Sequence, residues 1–170
     1  MLESFGVNPP VLFDYRDQEL KDADFEELAG KVLDVMNRVS PDVVITFGPT
    51  WISKHDDHIT MHQATVDAFH RYRRESNAEP KLMLVAILKS FVDEFEWDLE
   101  GIDTQPTTAI NIEDTLELKI KAWRTYASQE DAQEIAKMFE ERKIATESYH
   151  QVYPPVLDGV VATGFWDDEG

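Results

Sequence analysis

The 170-residue chain is 42% hydrophobic, enough for one buried core, and is read as a single α/β domain over residues 1–170. Its 34 acidic and 16 basic side chains leave a formal net charge of −18, which repels nucleic acid and anionic membrane surfaces. The absence of cysteine excludes disulfides, thiolate metal ligands and a cysteine nucleophile, so any metal must sit on His, Asp or Glu. No signal-peptide pattern and no long apolar run is present, which makes a cytoplasmic protein the expectation.

Residues 11–15 (VLFDY) follow two prolines and read as a short buried strand. Asp24 is a candidate N-cap for a helix in which Phe25, Leu28, Val32, Leu33 and Met36 recur at helical spacing, until Ser40 and Pro41 stop it. Residues 42–47 (DVVITF), ended by Gly48 and Pro49, form a continuous apolar run that predicts a strand covered on both faces. A second amphipathic helix is predicted over residues 59–74 with Val66 and Phe69 inward, and residues 81–88 (KLMLVAIL) predict another buried strand.

Residues 107–112 suit one more strand. Asp114 is placed as the cap of a helical stretch through Lys119, Ala122 and Trp123 that restarts near Gln129 and passes Phe139. Residues 159–165 read as a last short strand, before an acidic end at residues 167–170 expected to fray. Strands alternating with helices at this spacing argue for βαβ units and a Rossmann-like, mostly parallel sheet flanked by helices.

Open α/β sheets bind ligands beyond the carboxyl ends of their strands, which directs attention to the loop after Phe47. That loop carries His55, Asp56, Asp57 and His58 immediately before a helix. Two readings stand side by side. Imidazoles and carboxylates at a strand rim suit zinc or a similar divalent ion. The same residues also suit a solvated helix start, with Asp56 or Asp57 as N-cap favoured by the helix dipole. His62 reads as a surface or packing residue, and His70 and His150 stand apart.

The segment from Pro41 to Pro49, followed by Ile52, Ser53, His55, Asp57, His58 and Ile59, resembles the second motif of the PIG-L/LmbE deacetylases, roughly PDVVxTFGPDGxSGHPDHxxxH. Gly6 and Val7, the run Phe13, Asp14, Tyr15, Arg16 and Asp17, and Leu20 resemble a second family segment; Lys119, Ala122, Ser128 and Gln129 resemble a third. The resemblance implies a metal-dependent hydrolase that removes an N-acetyl group from an N-acetylglucosamine-type sugar, a small-molecule substrate. By position His58 matches a metal ligand, His55 the histidine that stabilises the oxyanion or protonates the departing amine, and Asp57 the carboxylate that orients it. Asp14, Arg16 and Asp17 match the substrate side, where they would touch sugar hydroxyls; a loop with a local ion pair and a cap accounts for them equally well.

The family's HPDD motif supplies two further metal ligands and the general base, and this chain has no HPD tripeptide. The expectation is an LmbE-like domain without its N-terminal βα unit, with zinc binding weak or absent and turnover impaired. It leaves an exposed sheet edge that invites a homo-oligomer. The alternatives are a non-catalytic relative serving as a binding or interaction module, and a partner chain that donates the missing ligands. Asp56 stands where the family has Pro, Thr50 and Trp51 where it has Asp and Gly, Lys54 where it has Gly, and Tyr126 where it has His.

Overall fold

A computed structural model describes residues 6–50, 54–126, 130–156 and 161–166. Trp51, Ile52, Ser53, Ser128 and Gln129 of the motif readings lie outside the described residues, as do residues 159–160 of the last predicted strand and the acidic end at 167–170. The described residues form two compact units. The larger is drawn from Leu12–Ala109 with Ser148–Gly170, and the smaller from Met1–Val11 with Ile110–Glu147.

In the larger unit, Asp24 caps α1 (Phe25–Val39) by accepting the Glu27 N–H at 3.0 Å, and Ser40 ends it in the left-handed region. β1 (Val43–Thr46), α2 (Asp56–Ser76) and β2 (Lys81–Ala86) follow, with β1 and β2 parallel in the register Val44 to Leu82 and Thr46 to Leu84. Val32 and Met36 from α1, Ala68, Phe69 and Tyr72 from α2, and Val44 and Leu82 from the strands close one core. A second cluster joins Leu20, Leu28, Ala29 and Ala64.

A short helix α3 (Lys89–Glu94) leads to β3 (Thr108–Asn111). β4 (Thr146–Tyr153) returns antiparallel to β2, giving the strand order β1-β2-β4-β3. The fold is thus a four-stranded mixed α/β sheet flanked by helices, in keeping with the Rossmann-like, LmbE-like class. β4 escaped the sequence reading because its residues are mostly polar and only half buried, without the apolar run that marks β2. Its backbone commits it to the sheet: the Gln151 N–H donates to Thr107 Oγ1 at 2.8 Å, and the Thr107 N–H to the Tyr149 carbonyl at 2.9 Å.

Several expectations need correction. Residues 11–15 are not a buried strand: they form no strand, Val11 and Leu12 are 48% and 76% exposed, and Asp14 at φ 58° turns the chain out of extended conformation. β1 is not covered on both faces. Its side chains alternate, the helices cover the Val44 face, and Ile45 on the other is 45% exposed at the end of the strand order. In the predicted strand over 159–165, the described part shows one isolated bridge, Thr108 with Ala162.

In the smaller unit, α4 (Leu116–Arg124) packs on α5 (Glu130–Arg142). Asp114 does not cap α4; it lies inside a 3-10 turn, Glu113–Thr115, whose Glu113 N–H is taken by Asn111 Oδ1 at 2.8 Å. Lys119 pairs with Glu147 and lies 4.4 Å from the centroid of the Phe139 ring. No helix among the described residues is long and apolar enough to cross a membrane.

Candidate functional site

The site is built at the start of α2, beyond the carboxyl end of β1, where the sequence reading placed it. α2 begins at Asp56, three residues earlier than predicted, so His58 lies in its first turn. The cap is neither aspartate: His55 is the N-cap, and its Nδ1 accepts the Asp57 N–H at 3.2 Å. A backbone amide has one proton to give, so Nδ1 is the acceptor in this bond.

That leaves the Asp56 and Asp57 carboxylates available to other partners. Asp57 accepts the Gln18 N–H at 2.7 Å and the Leu20 N–H at 3.1 Å, one on each oxygen. Asp56 takes the Lys21 ammonium at 2.7 Å. The segment before the 3-10 helix Leu20–Asp22 is therefore laced to the first turn of α2, while Leu20 is buried beside Leu28, Ala29 and Ala64. Asp56 is held below its ordinary carboxylate value by the Lys21 hydrogen bond and charge, and Lys21 above its own by the same pair.

This lacing brings Asp17 to the helix start. Asp17, His55 and Asp57 each offer a ligand atom within 4.8 Å of the other two, the combination of oxygen and imidazole donors that a zinc-type divalent ion takes. The donor chemistry fits such an ion. His58, the ligand by resemblance, is outside that trio but adjoins it: its ring stacks on Phe47 at 4.2 Å between centroids and lies 5.1 Å from the His55 ring. Burial first and the His55 charge second push its pKa below the ordinary imidazole value, while Asp57 and Asp17 pull it up. A neutral imidazole is the form that binds metal.

Beside the trio is an open cleft of about 470 Å³, lined by Asp14, Tyr15, Arg16, Asp17, Asp57 and Met61 among others. All three residues assigned by sequence to the substrate side thus line one cleft together with Asp57. Tyr15 is fixed by its hydroxyl, which donates to Glu27 at 3.3 Å and receives the Lys31 ammonium at 3.1 Å. His62 keeps its packing role, with Nδ1 2.7 Å from the Phe47 carbonyl oxygen.

Sequence reasoning missed Asp103. It is 1% exposed, and its Oδ2 accepts both the Thr50 N–H, at 3.0 Å, and the Thr50 hydroxyl. Nothing in the sequence ties a carboxylate near Gly101 to a loop fifty residues earlier.

The family model for PIG-L, described as GlcNAc-PI de-N-acetylase, matches residues 1–69. Over 125 residues the chain is 28% identical to a 1D-myo-inositol 2-acetamido-2-deoxy-alpha-D-glucopyranoside deacetylase of Mycobacterium sp. (strain JLS), covering 64% of this chain and 40% of that protein. Over 130 residues it is 27% identical to a probable N-acetyl-alpha-D-glucosaminyl L-malate deacetylase 2 of Bacillus cereus, covering 76% and 54%. A deacetylase of Kineococcus radiotolerans bearing the first of these names is 41% identical over 51 residues, 30% of this chain and 14% of that protein. The matches span about half the length of these relatives or less.

Proposed function

Since residues 1–69 match the PIG-L family model and the relatives reported above are deacetylases, we propose that the chain is a PIG-L/LmbE-type deacetylase that hydrolyses the N-acetyl group of an N-acetylglucosamine-type sugar, with a divalent metal ion as cofactor. The observation that carries this reading is the meeting of Asp17, His55 and Asp57 beside the cleft.

Asp17 and Asp57, two of the three donors that lie within 4.8 Å of one another, would hold the ion together with the adjoining His58, the ligand that the resemblance implies. Bound there, it would polarise the amide carbonyl and acidify a water molecule. His55 plays another part. With Nδ1 accepting the Asp57 N–H, the Nε2 side of the ring is the one suited to donate to the oxygen that becomes negative as the amide carbon turns tetrahedral. The Asp57 backbone N–H orients His55, and the Asp57 carboxylate holds the segment that carries Asp17. Asp14 and Arg16 line the same cleft, where a carboxylate and a guanidinium would hydrogen-bond sugar hydroxyls.

Calorimetric zinc titration of the purified chain tests the reading, beside Asp17→Asn and His58→Ala, with release of free amine from an N-acetylglucosaminyl substrate measured in parallel. Zinc binding weakened at least tenfold in both variants, with chelator-sensitive amine release, is the expected result. Binding that neither substitution changes refutes this ligand set; zinc binding without amine release leaves a metal-binding module, the non-catalytic alternative.

A further inference from the structure

We propose that the segment from Asp98 to Asp103 is a clasp that holds the described ends of the connection between β1 and α2, at Thr50 and at Lys54, and that Asp103 is its positioning residue. The inference rests on reading that loop as the carrier of the site.

Asp98 and Asp103 take hold of the loop at opposite ends. On the β1 side, Asp103 Oδ2 receives the backbone N–H and the hydroxyl of Thr50. The same carboxylate lies so close to Gly48 that a Cβ built there would stand 1.4 Å from Oδ1 and 2.5 Å from Cγ. Only glycine fits against it, so residue 48 and Asp103 are mated by shape as well as by hydrogen bonds. On the α2 side, Asp98 pairs with Lys54, the residue directly before the His55 cap. Lys54 has φ 48°, a left-handed conformation unfavourable for a lysine, so something outside its own backbone must hold it there.

The clasp is itself anchored to the sheet. The Ile87 N–H, just past β2, donates to the Asp103 carbonyl at 2.8 Å, Leu99 is buried, and the Thr104 hydroxyl closes the Gly101–Thr104 turn on the Gly101 carbonyl at 3.0 Å. The carboxyl ends of β1 and β2 thereby meet at one buried residue, Asp103, through its side chain and its backbone carbonyl.

Asp103 Oδ1 is buried without a hydrogen-bond partner. An uncompensated buried oxygen is a stability cost that a smaller apolar side chain would avoid. Its presence is accounted for if the other oxygen is needed to fix Thr50.

Asp103→Ala, Asp103→Asn and Thr50→Val separate positioning from mere stability. Asparagine keeps an acceptor for both Thr50 donors, alanine removes it, and valine deletes only the hydroxyl half. Denaturant midpoints establish which variants fold; the readouts are the His55 and His58 ring NMR resonances at fixed pH and the zinc affinity. The expected result is that folded Asp103→Ala moves the ring resonances and weakens zinc at least tenfold, Asp103→Asn restores both toward wild type, and Thr50→Val moves the rings partway. Wild-type ring resonances in folded Asp103→Ala overturn the proposal. If that variant does not fold, unmoved rings in Thr50→Val overturn it. A wild-type chain that binds no zinc defeats the metal reading alone, because the ring resonances still judge Asp103.

Discussion

Replacing Asp57 with alanine removes the two acceptors that hold Gln18 and Leu20 against α2. The two bonds differ in worth. The Gln18 bond is exposed, so water replaces most of it; the Leu20 bond is partly buried, and Leu20 is 7% exposed. Hydrogen bonds to a charged acceptor contribute roughly 1.5–3 kcal/mol, and a buried N–H left without a partner costs about 1–3 kcal/mol. Discounting the exposed bond, the expected loss is about 2–3 kcal/mol. Urea denaturation reads the total, and hydrogen exchange locates it: the Gln18 and Leu20 amides should lose protection while those of β2 follow only the global change. Asp57→Asn should fall between wild type and alanine, since its amide has one acceptor for two donors. Unchanged exchange at Gln18 and Leu20 in Asp57→Ala would refute the lacing, and with it the account of how Asp17 reaches His55.

His58 predicts a pH dependence. Burial lowers its folded pKa below the ordinary 6.5, so on acidification the unfolded chain takes up a proton before the folded one does. Stability attributable to His58 is therefore present above pH 6.5 and lost as pH falls through that value toward the folded pKa. Urea midpoints at pH 7.5 and 5.5 should differ less in His58→Gln than in wild type; an equal difference refutes the assignment. Phe69, fully buried between α1, α2 and the sheet, should cost about 3–5 kcal/mol on Phe69→Ala by the same assay, and less than 1 kcal/mol would mean that the core is misplaced. Lys54→Gly relieves a left-handed lysine worth about 1–2 kcal/mol and gives up only a solvent-exposed ion pair, so the variant should be at least as stable as wild type; a clear loss would show that Asp98 contributes more than the strain does.

The left-handed φ of Lys54 gives a physical sense to one departure noted in the sequence. The resembling family has glycine at this position, the residue that adopts such a backbone without steric cost. Here the Asp98 ion pair and the His55 cap stand where that freedom would be.

Much of this protein is local and so was legible in its sequence. Helical spacing and the Asp24 cap placed α1, the apolar run placed β2, and the loop after Phe47 was singled out because strand ends gather ligands. The motif residues His55, Asp57 and His58 were named from order along the chain alone. What the tertiary structure decided are pairings between residues far apart in sequence, for which local pattern has no signal. The half-polar β4 joins the sheet through backbone bonds that any side chains permit. Asp57 binds with its carboxylate two amides 37 and 39 residues away. Asp103 meets Gly48 because one side chain is small enough and the other can accept two hydrogen bonds, a fit that exists only once β1 and β2 lie side by side.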